Sequence, residues 1–377
     1  MPKNIVLCCD GTDNQFSGYH TNVIRAYKVA VHSDQQATYY DCGVGTMPAP
    51  GATGKIAKWW SMMKGLAFGS GFKQNVMDAY TFLMNTYEEG DQVYLFGFSR
   101  GAYTVRALAG MLYAMGLLRP HTENLIPYAY EYWKKCYQKG GDDICNEFKK
   151  TLSRPCPVHF IGVWDTVSSL GYFIHFKTYP FTAHNPEVIH FRHAVSIDER
   201  RCFFHQNLMF KWKTNPEQDI KNVWFAGVHS DVGGGYPPDE AGLAKLTFQW
   251  MMREAAAQGM QIDQDELQHE LLDEGAKPDP LGKKHESLKG FWWLCELIPQ
   301  RSYRPVVDPV TGHTTSHNVW SIPLGRRRNV ERNAAIPEVW LHQAVITRLQ
   351  GKPDYRPGNI PHTEPELKAL FQNKIEQ

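Results

Sequence analysis

The sequence predicts an α/β fold with a mostly parallel central sheet, flanking helices, and insertions able to form a lid. Two observations carry this. Short apolar runs rich in β-branched residues alternate with longer stretches of helical periodicity. A Gly-x-Ser-x-Gly stretch also sits where one such run gives way to a helix. The 377 residues are 42% apolar and 21% charged, enough to build one large core and incompatible with global disorder. We expect a single domain over 1–377, with insertions at 43–70 and 278–328.

The elements follow in order. Asn4–Cys9 is an unbroken apolar run, as expected of a strand buried on both faces. Val23–His32 has helical spacing, and Thr38–Asp41 reads as the second strand. Gly71–Glu88 is a helix, Gln92–Phe98 a strand, and Ala102–Met115 a helix rich in small residues. A helix over Ile126–Gln138 precedes strands at Val158–Val163, Arg192–Ile197 and Val223–Val228. Ala241–Gln258 and Leu341–Leu349 are the last helices, the second followed by an extended tail through Tyr355-Arg356-Pro357.

Two stretches break the alternation. Residues 43–70 are glycine-rich and place Trp59, Trp60, Met62 and Met63 among lysines. Residues 278–328 are polar, with an aromatic patch at Phe291-Trp292-Trp293 and a basic run at Arg326-Arg327-Arg328. Bulky apolar groups beside cations serve either as ordinary packing or as an interfacial segment.

Forty Lys plus Arg against 39 Asp plus Glu leave a formal charge of +1, which gives no electrostatic footprint for nucleic acid. Eight cysteines without a Cys-x-x-Cys pair argue against a disulfide framework or a zinc ribbon, so most are expected reduced and buried. Met-Pro-Lys-Asn enters the first strand without a signal-peptide apolar region. The longest apolar stretch, Thr104–Leu118, contains Arg106 and is too short to span a bilayer. Synthesis as a cytoplasmic chain is the expectation.

Gly97-Phe98-Ser99-Arg100-Gly101 has the pattern of a nucleophile elbow. Side chains at the glycine positions would collide with the neighbouring strand and helix. The strained turn lifts the Ser99 hydroxyl above the sheet and aims the Arg100 N–H at a developing oxyanion. A serine needs an imidazole to take its proton. Among sixteen histidines, His229 is the best placed, where an apolar strand ends at a triple-glycine loop; His342 is a distant second. Asp165, just past another buried strand, can orient that imidazole. Asp198 is also topologically possible, although Arg200 and Arg201 beside it suggest an ion pair instead. Asp231 suits a role in fixing the glycine loop.

The first strand ends in Cys8-Cys9-Asp10-Gly11-Thr12, at the ligand-facing edge of a parallel sheet. Backbone N–H groups at Gly11 and Thr12 could complete an oxyanion hole with that of Arg100, while Asp10 holds the loop. Gly51-Ala-Thr-Gly-Lys55 lacks the Ser or Thr of a phosphate loop, and His269-Glu270 lacks the second histidine of a zinc protease helix. No metal and no organic cofactor is expected.

With these segments in place, the sequence resembles the α/β-hydrolase family that supplies the catalytic domain of type VI secretion phospholipase effectors. The resemblance rests on Cys8–Thr12, Gly97–Tyr103, Gly162–Val167, Ser196–Arg201, Gly227–Tyr236, Leu341–Val345 and Tyr355–Pro357. It implies an α/β-hydrolase-like fold and a serine esterase acting on phospholipids, with Ser99, Asp165 and His229 as nucleophile, acid and base; an esterase on small soluble esters or thioesters, and a non-catalytic interaction module on the same fold, stay open as alternatives. It thereby selects Asp165 over Asp198. It also implies a lipid or ester substrate, contact with a membrane surface, delivery by type VI secretion, and a secretion-apparatus or immunity-protein partner. Effectors of this group often carry an additional membrane-anchoring module, and the expectation for this chain is little more than the catalytic domain.

Overall fold

Eight strands, all parallel, form the central sheet of the computed structural model: β1 (Asn4–Cys9), β2 (Gln36–Asp41), β3 (Gln92–Phe98), β4 (Val158–Trp164), β5 (Val188–Ser196), β6 (Asp219–Phe225), β7 (Val339–His342) and β8 (Ile375–Glu376). The structure describes residues 2–11, 19–43, 70–138, 140–167, 179–211, 215, 217–290, 292–307, 314–334 and 336–377. The strand order is β8-β7-β6-β5-β4-β3-β1-β2. The chain leaves β1 for β2 on one side and then crosses to β3 on the other. The carboxyl ends of β1 and β3 therefore flank the switch point, where ligands gather in open parallel sheets.

Both sheet faces are buried, which is why the strands read as continuous apolar runs. Ile5, Leu7, Val93 and Leu95 belong to one core with helices α2 (Ser70–Thr86), α3 (Arg100–Met115), α4 (Ile126–Trp133) and α5 (Gly141–Leu152). Val6, Cys8, Tyr94 and Phe96 face the opposite way, toward α1 (Asn22–Val29) and α7 (Gly242–Ala257), with α6 (His229–Gly233) lying between β6 and α7. Truncating a fully buried residue such as Leu95 to alanine costs about 2–5 kcal/mol. A third cluster, around Trp224, Leu341 and Phe371, closes the far edge.

The carboxyl ends of the inner strands are level. Gly97 pairs with Val163, Trp164 with Ala194, and Ser196 with Phe225. The residues that follow each strand consequently share one edge.

Several expectations are corrected. β6 stops at Phe225 because Gly227, at φ 112°, turns the chain into α6. The helix expected over Leu341–Leu349 is the strand β7 followed by helix α8 (Gln343–Gly351), with the His342 Nδ1 accepting from the Ala344 N–H as a cap. A short Val-Trp-Leu run cannot be told from a helix segment by periodicity. The tail contains a helix (Glu364–Leu370) and β8 rather than extended chain. Within 278–328 lie a short helix (Trp292–Cys295) and an antiparallel hairpin (Gln300–Val307 with Thr314–Ser321). Residues 44–69, with Trp59 and Trp60, lie outside the described residues. Cys136 and Cys145 are joined in a disulfide, while Cys8, Cys9, Cys156, Cys202 and Cys295 are buried and Cys42 is exposed. Among the described residues, no helix is long and apolar enough to cross a membrane.

Candidate active site

Ser99 follows β3 and precedes α3 with φ 58° and ψ −116°, a conformation that a non-glycine residue enters only under strain. The flanking glycines make the turn possible. A Cβ on Gly101 would lie 2.0 Å from the Cys9 carbonyl oxygen, and one on Gly97 would lie 2.6 Å from the Ala102 nitrogen. Helix α3 can thus press onto the end of β1 only without those side chains. The Arg100 N–H lies in the first turn of that helix, at its positive end.

Asp165 follows β4 and is likewise left-handed, with φ 38°. It is completely buried, and its N–H donates to the Ala194 carbonyl at 2.8 Å. His229 opens α6 after β6. Its Nδ1–H donates to Asp165 Oδ2 at 2.6 Å, and its Nε2 accepts from the Ser99 hydroxyl at 2.8 Å. Three residues at 99, 165 and 229 therefore form one continuous chain of hydrogen bonds. The ring of His229 lies between Phe98 and Phe204, at centroid distances of 4.6 and 4.8 Å. Burial lowers the His229 pKa below its ordinary value, and the Asp165 carboxylate only partly reverses this.

A fourth residue completes the cluster. Arg328, from the basic run near the end of the second insertion, is buried against Asp165. Its Nη1 donates to Oδ1 at 2.6 Å and its Nη2 to Oδ2 at 3.1 Å. The same guanidinium donates to the Ser196 carbonyl and hydroxyl and to the Phe204 carbonyl. Asp165 Oδ1 also accepts the Ser196 N–H at 2.9 Å. Burial alone would raise the Asp165 pKa, but the Arg328 charge and then His229 hold it far below the usual carboxylate range. Nothing in the sequence separated Arg328 from the exposed Arg326 and Arg327 beside it.

Glu199 was also not anticipated. Its buried carboxylate accepts the His229 N–H at 3.1 Å, the Arg201 Nε–H and Nη2–H at 2.9 and 3.0 Å, and the Ser287 hydroxyl. Burial opposes its ionisation, yet Arg201 holds its pKa down, to about 2. Glu199 thus takes the arginine that was expected to pair with Asp198. Asp198 instead accepts the Gly227 N–H at 2.7 Å and the Tyr355 hydroxyl at 2.9 Å, and burial raises its pKa. It pins the turn ahead of His229 without touching the ring. Asp231 accepts the Val228 N–H and is bonded to His285, holding the loop as expected. His342 stacks on Phe225 at 4.4 Å and caps α8.

The Asp10 carboxylate accepts the Thr21 hydroxyl at 2.6 Å, the Tyr40 hydroxyl at 3.1 Å and the Gly11 N–H at 2.7 Å. Because its N–H is bonded to Asp10, Gly11 is removed from the expected oxyanion donors. Thr12 lies outside the described residues. Among the described residues, His20, Glu270 and Glu274 come close enough for a metal ion, but Glu270 is already paired with Arg25 and Lys28.

Residues 3–254 match the family described as T6SS, phospholipase effector Tle1-like, catalytic domain. An uncharacterized protein of Saccharomyces cerevisiae, YEL023C, is 36% identical over 221 residues, 54% of this chain and 32% of the yeast protein. The chain thus matches about a third of the length of that relative. Two solved structures are similar at TM-scores of 0.42. One is an uncharacterized protein from Pseudomonas aeruginosa, 18% identical, covering 71% of this chain and 47% of that one. The other is a Tle1 effector bound to the VgrG spike of the type 6 secretion system, 12% identical, covering 90% and 94%.

Proposed function

This chain belongs to the family of Tle1-like phospholipase effector catalytic domains, and on that premise we propose that it is a serine esterase that hydrolyses phospholipid acyl esters. The observation that carries the proposal is the unbroken relay from the Ser99 hydroxyl through His229 to Asp165, at 2.8 and 2.6 Å. As Ser99 Oγ attacks the ester carbonyl, His229 Nε2 takes its proton. Asp165 keeps the other ring nitrogen protonated and stabilises the imidazolium. The Arg100 N–H faces the developing oxyanion, a contact worth about 3–4 kcal/mol in the transition state. His229 then protonates the leaving alcohol, and water, deprotonated by the same imidazole, releases the acyl group from Ser99.

Lowered basicity fits this role. A base whose pKa burial holds below the ordinary imidazole value is more fully neutral at a given pH and so ready to accept the serine proton. Delivery by a secretion apparatus and pairing with an immunity protein rest on family membership alone.

A fluorophosphonate probe tests the activated serine directly. The expected result is a single adduct on the peptide carrying Ser99, absent from Ser99→Ala. A folded protein that stays unlabelled, or is labelled elsewhere, overturns the assignment.

A further inference from the structure

The short helix Trp292–Cys295 and the segment 320–325 lie side by side, with Trp292 one aromatic ring away from His229 through Phe204. The Leu324 N–H donates to the Glu296 carbonyl at 3.3 Å. The buried Glu296 carboxylate ties both to the body of the protein, accepting the Cys202 N–H at 2.7 Å and the Gly325 N–H at 2.8 Å. On their outer side stand Trp293, Leu294, Leu297, Ile322 and Leu324, which are 45%, 60%, 57%, 46% and 61% exposed. Scattered exposed leucines need no explanation, but five large apolar side chains on two segments tied together do. Leu324 even projects from a left-handed backbone, with φ 51°. That conformation carries a cost to the fold.

The fully exposed charged side chains that flank this ridge in sequence are cations. Lys289, Arg326 and Arg327 are exposed beside it, and no carboxylate is exposed among the described side chains of 283–327. Arg200 lies over the Trp293 ring at 5.9 Å and holds the Gly325 carbonyl. An apolar ridge edged by cations suits the interface of an anionic bilayer, where apolar groups enter the acyl boundary and cations meet the headgroups. The ridge also adjoins the chemistry: Trp292 packs on Phe204 at 5.6 Å, and Phe204 packs on His229.

We propose that the ridge formed by Trp293, Leu294, Leu297, Ile322 and Leu324 seats the protein on an anionic phospholipid surface, with the mouth of the site facing the lipid. The choice of a bilayer over a protein partner rests on the esterase reading above. Docking presents ester carbonyls to Ser99 without the lipid first dissolving in water.

Binding can be measured without turnover. The 377-residue Ser99→Ala chain is floated with vesicles of phosphatidylglycerol and phosphatidylcholine, and separately with phosphatidylcholine alone. The expected result is preferential binding to the anionic vesicles. That binding should weaken about tenfold or more when Leu294→Ser, Leu297→Ser and Leu324→Asn are added, asparagine being tolerant of the left-handed position. Arg326→Glu with Arg327→Glu should abolish the preference for anionic lipid. In the Ser99 background the leucine changes should leave soluble-ester hydrolysis and the melting temperature unchanged. Equal flotation of parent and leucine variants overturns the docking surface, as does a parent that stays off both vesicles. Loss of a dimer on the same substitutions, without vesicle binding, assigns the ridge to a second copy and overturns it too. A failed soluble-ester assay strikes the esterase reading instead, so the two are separable.

Discussion

Arg328 grips Asp165 through two parallel hydrogen bonds, at 2.6 and 3.1 Å, in a site where neither side chain meets solvent. The carboxylate that holds the His229 imidazole is thus itself oriented and neutralised. The arginine lies outside residues 3–254, the part that matches the family, so the relay is completed by the carboxyl-terminal third of the chain. A bidentate guanidinium fixes the carboxylate plane, which a lysine could not do.

The two aspartates should separate cleanly. Asp165→Asn is expected to lower kcat by about 10⁴-fold, because the amide favours the wrong imidazole tautomer. Asp198→Asn keeps an oxygen for the Gly227 N–H and the Tyr355 hydroxyl and has no contact with the His229 ring. It should stay within about tenfold of the parent. Steady-state hydrolysis of a soluble ester reads both, and equal losses would reject Asp165 as the acid.

Arg328→Gln should change both rate and pH dependence. The positive charge beside Asp165 now offsets part of the field that favours imidazolium. Its removal leaves the carboxylate unopposed, so the His229 pKa rises and the acidic limb of kcat/KM moves to higher pH. The rate should also fall about 10–100-fold, and stability by about 3–5 kcal/mol from the broken buried pair. A pH–rate profile that falls in amplitude without shifting would make Arg328 a structural residue only.

His285 should give stability a pH dependence of its own. Its Nδ1 meets Asp231 at 2.6 Å and its Nε2 meets Glu240 at 2.7 Å, while its ring stacks on Tyr236 at 3.6 Å. The Asp231 hydrogen bond, opposed by burial and aided by Glu240, raises its pKa above 6.5. A raised folded value means the contribution is complete below the unfolded pKa and disappears as pH climbs through the folded one. The melting temperature of the native protein should therefore fall above about pH 6.5 more steeply than that of His285→Gln. Parallel curves would remove His285 from the account.

The strands that carry the site were legible because each is a continuous apolar run, and β1 and β3 are found at the expected residues. Ser99, Asp165 and His229 could be singled out because each follows such a run directly, and parallel strands bring their carboxyl ends to one edge. Arg328 could not be found this way. It reaches the site from a polar segment after a hairpin, and local sequence does not distinguish a buried arginine from its exposed neighbours. Glu199 was hidden similarly, since its choice of Arg201 depends on how the turn after β5 folds. The Gly11 N–H was misread because the Asp10 carboxylate competes for it within the same loop.

The most direct test is release of free fatty acid from mixed phospholipid vesicles by the native chain and by Ser99→Ala, with folding of both checked by circular dichroism. The account predicts release by the native chain and none above background from the variant. Release that survives in Ser99→Ala, or a native chain that cleaves a soluble ester and leaves the vesicles intact, would contradict it.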